Sequence, residues 1–540
     1  VARRALDQAS DDLRLWGTGA VVVPGASQNL RALTGVLSDA ATATRHAADA
    51  AATVDIDSLT VQAGRLDLAA VADLEAPLAR LGDALDDVVR EVGRWDDDPL
   101  VPPVRDRLRN LGDDAVRARD DAVRGASAAR TVPGLLGADG PRRYLVLFTS
   151  PAEARGRFGF PASYAELVAD DGRLDLADQG SILQAFPARP YDQASLPADD
   201  PLVAPYVPYG ITEDLRSATM TPDFPTAAGI VAEMWEQRGR EPLDGVMRLD
   251  AAGLAVLLDL TGRIDVPELG RSLDGGELEE FLLFDQYVEF ADETRERKEL
   301  LEAIGGLVFE RLVTADLPNP RRLTDLFGPV VDGDHLQVTS FDDEAQGFLD
   351  EVGLSGTFTA PANDGLMVAN VNSGANKIDT FLQRSVRYRA TLDGTGALTG
   401  TVEITLRNEA PAAGLPDYVI GSALDDAPPG TNRTTLLVYT AVPATAVTVD
   451  GEPAGLRSSR SGGWWVHEIA LDIPSSQAVV VRLEVAGPRP DRADADYALD
   501  VRPGGGATPD HYDIAVEVAG RNVELDAAVA AQTILTTPDG

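Results

Sequence analysis

The chain of 540 residues carries 87 Asp and Glu against 47 Lys and Arg, which gives a formal net charge of −40 at pH 7. Such a field repels nucleic-acid phosphates and anionic membrane surfaces, so the composition argues against a nucleic-acid-binding protein. The hydrophobic fraction of 44% is that of a globular protein, and the length suggests three or four domains. The absence of cysteine excludes disulfides, thiolate nucleophiles and cysteine-ligated metals.

The four histidines are far apart in the sequence and in no metal-binding spacing, so no histidine metal site is predicted. No run reaches the roughly 18 consecutive apolar residues of a membrane helix. The sequence starts at Val1 in a helical pattern, without an initiator methionine or a signal peptide. We therefore expect the native chain to extend upstream, where a membrane anchor or a signal could lie.

Residues 1–130 are rich in alanine and have helical periodicity. Apolar side chains recur at alternating spacings of three and four from Val71 to Trp95, and similar seams start at Leu30 and Val104. This spacing is typical of helices that pair with one another, so it predicts an α-helical bundle or stalk with a structural role.

Residues 138–383 alternate between strand and helix patterns, which predicts an α/β domain. Its central feature is the short apolar run Tyr144–Phe148, which predicts a strand buried on both faces. Glu153, Arg155 and Arg157 follow in a loop. Charged groups at the end of a buried strand are where such a sheet often places its chemistry, although a surface ion pair would have the same sequence.

Two candidate aspartates lie at the starts of predicted elements further along the chain. Asp223 precedes a predicted helix over 226–237, and Asp244 begins a predicted strand that leads into a helix over 251–260. Asp223 is either a catalytic carboxylate or only the support of that helix start. The proline- and tyrosine-rich loop over 180–212 is long for a compact domain, which is typical of a functional loop.

Two further segments supply candidate ligand-binding residues. A long helix predicted over 285–312 bears Arg295, Arg297 and Lys298, which form either a solvated basic face or, in so acidic a chain, an anion site built on the arginines. The segment after a predicted strand over 366–370 contains Asn376, Lys377 and Asp379, which either form a turn or face a polyhydroxylated ligand. Residues 384–540 alternate in strand periodicity with Gly-rich turns, which predicts a C-terminal β-sandwich without an essential catalytic group.

Together these motifs resemble the actinobacterial extracytoplasmic family known only as domain of unknown function 4012. The resemblance covers about residues 140–440 and is carried by Ala152–Arg155 with Gly159-Phe160, Pro222–Pro225, Asp244–Val246 with Leu257-Leu258, Thr261-Gly262, Arg297-Lys298, and Asn376–Asp379 with Arg384. The chain departs from the family pattern at Ser150, where the family usually has Asn, and at Phe158-Gly159, where it usually has Gly-Gly. The loss of a glycine stiffens that turn and suggests an altered substrate.

Residues 296–301 (Glu-Arg-Lys-Glu-Leu-Leu) and 244–262 look like a helix start and a strand-helix-Gly segment of a second family, and Arg155 and Arg157 stand where its paired strand arginines would be. On these residues the α/β region is also distantly similar, over about 150 residues, to the LytR-CpsA-Psr glycopolymer transferases. Those proteins act outside the membrane and attach glycans carried on polyprenyl pyrophosphate to the cell wall. Their arginines hold the pyrophosphate and their acidic residues hold a divalent metal. This resemblance implies a LytR-CpsA-Psr-like α/β fold, an extracytoplasmic location and a cell-wall or extracellular polysaccharide as the partner.

Three functions follow from these observations. The first is cleavage or transglycosylation of a wall glycan or exopolysaccharide by paired carboxylates, with Glu153 and Asp223 as the catalytic pair and no metal. The second is glycan transfer from a polyprenyl-pyrophosphate carrier, with Arg155, Arg295 and Arg297 on the phosphates and Asp223 on a divalent metal such as Mg²⁺. The third is a non-catalytic wall-binding protein. The remaining candidate binding residues are Arg155, Arg157, Asp244, Arg295, Arg297, Asn376, Lys377 and Asp379.

The site prediction is specific. Loops beyond strand ends converge in an α/β sheet, so Glu153, Arg155 and Asp223 should share one pocket. The loop with Tyr191, Tyr206 and Tyr209 should form its rim.

Overall fold

The structure is a computed structural model that describes residues 26–53, 64–95, 97–186, 190–291, 294–314, 320–361, 363–423, 427–489 and 497–537. It has a helical N-terminal region, a central α/β region and a strand-rich C-terminal region. This order agrees with the organisation that the sequence predicts.

The N-terminal region consists of helices that pack on one another. Their bounds are α1 Ala26–Thr53, α2 Leu68–Ala72, α3 Glu75–Gly93 and α4 Pro102–Leu135. Val36 of α1, Val88 of α3 and Leu108 of α4 lie in one buried core, as the apolar seams predict. The parts of the prediction that fall on residues 1–25 and 54–63 lie outside the described residues.

The central region is built on a mixed sheet whose strand order is β3-β2-β1-β4-β7. The strands of this region are β1 Arg142–Ser150, β2 Phe160–Asp170, β3 Arg173–Ser181, β4 Gly245–Asp250, β5 Ile264–Val266, β6 Arg271–Leu273 and β7 Leu336–Ser340. Its helices are α5 Ile182–Ala185, α6 Phe224–Glu236, α7 Ala251–Thr261, α8 Gly275–Glu280, α9 Gln286–Glu289, α10 Thr294–Thr314, α11 Pro320–Asp332 and α12 Asp343–Glu351.

The central sheet follows local sequence signals closely. The predicted buried strand is β1, and Leu145 and Leu147 are fully buried in it. Asp171 and Gly172 take positive φ angles of 48° and 80°, as the tight turn between β2 and β3 requires. Strands β1 and β4 are parallel, and Thr149 lies opposite Asp250. The carboxyl ends of these two strands therefore meet at one edge of the sheet, beside the loop over 151–159.

The prediction of one continuous helix over 285–312 is wrong. A π-helical turn over Phe281–Asp285 leads into α9, which ends at Glu289, and α10 begins only at Thr294. Phe290 leaves the helical region of backbone space, with φ −118° and ψ 40°. The sequence has no apolar residue between Ala291 and Leu300, so a continuous helix there had no support from apolar periodicity.

The C-terminal region contains two larger sheets, ordered β14-β15-β11-β8-β17-β20 and β13-β12-β16-β10-β9-β18-β19. Its strands are β8 Asp364–Asn372, β9 Leu382–Leu392, β10 Ala397–Asn408, β11 Asn432–Thr440, β12 Ala444–Val449, β13 Glu452–Pro453, β14 Arg457–Ser461, β15 Trp464–Ile473, β16 Ala478–Pro488, β17 Ala498–Arg502, β18 Asp510–Val518, β19 Arg521–Val529 and β20 Thr533–Thr536, and the short helix α13 is Asp417–Ile420. Apolar side chains of both sheets share one core.

Strand β8 links the two regions. It lies within residues 138–383, yet it is hydrogen bonded between β11 and β17 of the C-terminal sheet. Residue Arg155 forms an isolated bridge with Val371 of this strand. The loop after β1 is thereby attached to the C-terminal sheet. In the part of the chain that the structure describes, no helix combines the length and the apolar character needed to cross a membrane.

Candidate functional site

A cavity of about 500 Å³ opens at the edge of the central sheet where β1 and β4 end. One part of its wall is apolar and comes from the sheet, α7, the π-helical turn and α10; it includes Phe148, Leu249, Leu254, Leu282, Leu301 and Ile304. The other part is charged and includes Glu153, Arg155, Asp214, Arg216, Arg297, Lys298 and Lys377. The cavity therefore joins an apolar compartment to a cluster of cations, in a protein whose net charge is −40.

The structure brings Glu153 together with Lys377. Lys377 Nζ lies 2.5 Å from Glu153 Oε2, and both side chains are buried. Burial alone would lower the pKa of the ammonium group, but the Glu153 carboxylate outweighs it, so the pKa of Lys377 is raised. Glu153 is thus held in an ion pair, which makes it a poor match for a free catalytic acid or nucleophile.

Arg155 lies beside this ion pair and is only loosely bound to it. Its Nη2 atom is 3.8 Å from Glu153 Oε1, and its buried Nε atom has no hydrogen-bond partner among the described residues. The guanidinium lies 5.5 Å from the centre of the Phe160 ring. Burial lowers the pKa of the Arg155 guanidinium from its ordinary value, because the neighbouring carboxylates compensate only part of the desolvation. Arg155 therefore retains capacity to bind an anion.

Arg297 is the second cation that retains this capacity. It is buried between two aromatic rings, with its guanidinium carbon 5.0 Å from the centre of the Tyr287 ring and 4.5 Å from that of Tyr418. Among the described residues, no carboxylate forms an ion pair with it. A buried guanidinium that is stacked but not paired is a strong site for a carboxylate or a phosphate.

The sequence did not identify every residue of the cavity. Arg216, Lys298, Tyr287 and Tyr418 also line it. Lys298 lies beside Arg297 on the predicted helix, although the sequence does not single it out as a ligand-binding residue. Tyr418 belongs to α13 in the C-terminal region, and no local signal connects it to the other cavity residues, which all precede it in the chain. The C-terminal region thus contributes one wall of the cavity.

Asp223 does not share the cavity with Glu153 and Arg155, so this part of the site prediction is wrong. One of its carboxylate oxygens accepts hydrogen bonds from the backbone N–H and the hydroxyl of Thr226, at 2.9 and 2.6 Å. The other oxygen accepts a hydrogen bond from the backbone N–H of Phe358 at 2.7 Å. Asp223 caps helix α6 and fixes the chain at 358, which is the structural alternative that the sequence left open.

The three tyrosines expected at the rim do not line the cavity either. Tyr206 is buried and bonds the hydroxyl of Tyr439, while Tyr209 donates a hydrogen bond to Glu468. Tyr191 is buried beneath the guanidinium of Arg238. The loop over 190–212 is therefore packed against its neighbours, which explains its length without a ligand.

Three other candidates occupy structural positions away from the cavity. Asp244 accepts hydrogen bonds from Arg142 and from the backbone N–H of Arg143, at 2.9 and 2.8 Å. Arg157 forms an ion pair with Asp334. Arg295 is exposed and pairs with Glu299 one helical turn away. None of these candidates lines the cavity, and Arg295 has the solvated position typical of a surface helix.

Asn376 and Asp379 lie below the cavity and support it. Asn376 donates a hydrogen bond to the carbonyl of Gly421 at 2.5 Å. Asp379 is buried and accepts hydrogen bonds from the backbone N–H of Ala154 and from three asparagine side chains, those of Asn370, Asn372 and Asn432. Asp379 therefore anchors the loop that carries Glu153 and Arg155, and it does not face the ligand space.

The donor set does not fit a divalent metal. Within the described residues, no three His, Asp or Glu side chains stand close enough together to hold an ion. Four carboxylates line the cavity. Glu153 is paired with Lys377, Asp214 with Arg216 and Asp250 with Arg248, so among the described residues only Glu302 has no ion pair. Mg²⁺ prefers oxygen ligands that carry uncompensated charge. The acidic metal ligands implied by the distant family are thus not reproduced, and no step through a metal is derived.

A second cavity of about 270 Å³ lies on the other side of the Asp250 carboxylate, which lines both cavities. Asp250 Oδ2 is 2.9 Å from His335 Nδ1 and 3.0 Å from Arg248 Nη2. Burial raises the pKa of Asp250, but the Arg248 charge and His335 outweigh it, so the pKa is lowered. Burial lowers the pKa of His335, but its hydrogen bond to Asp250 and the charge of Asp250 raise it above its ordinary value.

Replacing Asp250 with Asn should bring the pKa of His335 below its ordinary value of about 6.5, because burial remains and the negative charge is lost. A raised histidine pKa stabilises the fold at low pH, and this contribution is lost as pH rises through the folded pKa. A lowered aspartate pKa stabilises the fold above about pH 4, and this contribution is lost on acidification. The stability difference between the wild type and Asp250→Asn should therefore be largest between about pH 4 and 6.5.

The measurement is an NMR titration of the histidine ring, combined with urea denaturation as a function of pH. Asp342→Asn is the matched control, because Asp342 caps α12 as Asp250 caps α7 but forms no ion pair with a histidine among the described residues. An unchanged His335 pKa in Asp250→Asn would show that the two side chains do not interact in solution.

The comparisons with known proteins give one informative match. No curated protein matches the sequence. Matching solved structures include crystal structures of a mutant M1 zinc metallopeptidase, two of them from Deinococcus radiodurans; they are 12–14% identical, with a TM-score of 0.16. These matches span 29% of this chain and 38–39% of the peptidase chains, and they support no conclusion about fold or function. Residues 139–287, which supply β1, β4 and much of the cavity wall, match the family described as "Protein of unknown function (DUF4012)", so the chain contains a DUF4012 domain.

Proposed function

We propose that the central region binds a glycan carried on polyprenyl pyrophosphate and transfers that glycan to an extracytoplasmic acceptor such as a cell-wall polysaccharide. The observation that carries this proposal is the cavity itself. In it Arg297, which has no carboxylate partner among the described residues, and the loosely paired Arg155 adjoin an apolar compartment. An anionic head joined to an apolar tail is the ligand chemistry that complements both parts.

The charges of the cavity support this function better than they support glycoside cleavage. Cleavage by paired carboxylates needs two carboxyl groups about 5–10 Å apart across the sugar. Glu153 is neutralised by Lys377, and Asp223 caps a helix outside the cavity. Cations suit the transfer reaction better, because breaking the bond to the carrier leaves negative charge on the departing phosphate. The guanidinium groups of Arg155 and Arg297 would hold the phosphates and stabilise that charge.

The same proposal assigns roles to the other regions. The two C-terminal sheets would form a β-sandwich that closes the cavity with Tyr418, and the helical region would act as a stalk. The central region would be a variant of the LytR-CpsA-Psr fold in which cations take over the neutralisation that a metal supplies in that family. An extracytoplasmic location follows from the substrate, since wall glycans are joined outside the cell.

Binding of a short prenyl pyrophosphate tests the proposal. In calorimetry with farnesyl pyrophosphate, Arg297→Gln should weaken binding about 100-fold, because a charge-assisted contact in a buried site contributes roughly 1.5–3 kcal/mol. Arg295→Gln is the matched control on the same helix. It should bind as the wild type does, because Arg295 is exposed and outside the cavity.

Farnesol lacks the pyrophosphate. The wild type should therefore bind farnesol no more tightly than Arg297→Gln binds farnesyl pyrophosphate. If the wild type binds farnesol and farnesyl pyrophosphate equally well, the pyrophosphate contributes nothing to binding, which contradicts the proposal. Transfer is then assayed with a prenyl-pyrophosphoryl sugar and isolated wall glycan. Release of reducing ends from the wall glycan by the wild type, lost in both Glu153→Gln and Asp223→Asn, would favour glycoside cleavage instead.

A further inference from the structure

The mouth of the 500 Å³ cavity carries apolar side chains that face solvent. Leu183 and Tyr418 line the cavity and are nevertheless 48% and 44% exposed. Val288, which follows the cavity residue Tyr287, is 42% exposed. These three side chains, called here the apolar rim, come from three separate elements: α5, α9 and α13. A soluble surface usually scatters such side chains singly. Here two of them line one cavity and the third is the sequence neighbour of a residue that lines it, which favours an interaction surface.

We infer that the apolar rim docks on the surface of a lipid bilayer, so that the cavity receives its ligand directly from the membrane. This inference rests on the proposed function, which makes the ligand an amphiphile. The cavity has the volume of a site for a drug-sized molecule, roughly 300–1,000 Å³. It can hold one end of a long lipid, and the rest of the tail must stay in an apolar medium. If the apolar rim touches the bilayer, the part of the tail outside the cavity stays in the apolar interior of the membrane.

The charge of the protein favours a bilayer over a second copy of the chain. Two copies with a net charge of −40 each repel one another, which opposes self-association through a small apolar patch. The same charge opposes binding to anionic lipid. Insertion of Leu183, Val288 and the amphipathic ring of Tyr418 into a zwitterionic surface needs no electrostatic attraction. The cations inside the cavity remain available for the ligand phosphate.

The test is co-sedimentation of the full chain with vesicles of phosphatidylcholine. The rim variant Leu183→Ser/Val288→Ser/Tyr418→Ser should bind at least about tenfold more weakly than the wild type, because binding scales with the apolar area inserted. The control variant Val101→Ser/Val123→Ser/Ile534→Ser removes three equally exposed apolar side chains elsewhere and should bind as the wild type does. Adding phosphatidylglycerol to the vesicles should not strengthen binding. Circular dichroism and thermal unfolding verify that both variants are folded.

The inference is overturned if the wild type does not bind these vesicles, if the rim variant binds as the wild type does, or if the control variant loses as much binding. A wild type that dimerises in sedimentation equilibrium, with a monomeric rim variant, would overturn it in favour of a self-association surface. Failure of the proposed function is seen separately, in the calorimetry of farnesyl pyrophosphate without vesicles. If the protein binds vesicles through the apolar rim but does not bind farnesyl pyrophosphate, the membrane-docking surface is supported and the proposed function is contradicted.

Discussion

Replacing Lys377 with Met should lower the free energy of unfolding by about 3–5 kcal/mol, the usual cost of leaving a buried charge without its partner. Lys377 Nζ lies 2.5 Å from Glu153 Oε2, and the two side chains are 3% and 7% exposed. The variant leaves the buried Glu153 carboxylate with only the guanidinium of Arg155, 3.8 Å away, to compensate its charge. The pKa of Lys377 is raised, so its contribution is fully present at neutral pH and is lost only as pH rises through the folded pKa.

The double variant Glu153→Gln/Lys377→Met should recover most of that loss, because it removes both charges and keeps the volume of the side chains. Urea denaturation at pH 7 measures all three proteins. Lys298→Met is the control, since Lys298 lines the same cavity but forms no ion pair with a described carboxylate. Equal destabilisation of the single and double variants would show that Glu153 does not depend on Lys377.

Much of the central sheet could be predicted because its signals are local. The apolar run of β1, the Asp-Gly turn between β2 and β3, and the passage from β4 into α7 each lie within about ten residues of sequence. The position of β8 could not be predicted in the same way. Its partners β11 and β17 lie 60 to 140 residues further along the chain, and an apolar strand pattern does not indicate the sheet to which the strand belongs.

The same limit applies to the site. Residue types alone selected Glu153, Arg155, Arg297 and Lys377, and all four line one cavity. The sequence did not show that Glu153 and Lys377 neutralise one another across 224 positions. Asp223 has the sequence context of both a helix cap and a catalytic carboxylate, and only the position of Phe358 N–H decides that its second oxygen is occupied. The ion pair of Glu153 and the hydrogen bonds of Asp223 therefore argue against the catalytic roles that their residue types had suggested.

Replacing Asp379 with Ala should lower the free energy of unfolding by about 3 kcal/mol or more and should weaken ligand binding as a consequence. The carboxylate accepts hydrogen bonds from Ala154 N at 2.9 Å and from Asn372 and Asn432 side chains at 2.7 and 3.0 Å. Each buried donor left without a partner costs roughly 1–3 kcal/mol. The bond to Ala154 also fixes the residue between Glu153 and Arg155, so its loss should displace both side chains in the cavity.

Asp393→Ala is the matched control, because Asp393 also accepts several hydrogen bonds, from Thr395 and Ala397, but in an exposed turn. Water replaces the lost acceptor there, so the effect on stability should be much smaller. Urea denaturation measures stability, and calorimetry with farnesyl pyrophosphate measures binding below the unfolding transition. If Asp379→Ala bound the ligand with unchanged affinity while its stability fell, Asp379 would support the fold without positioning Arg155. If both fell together, the anchor would connect the C-terminal sheet to the anion site, because β8 and β11 supply the asparagines that hold the carboxylate.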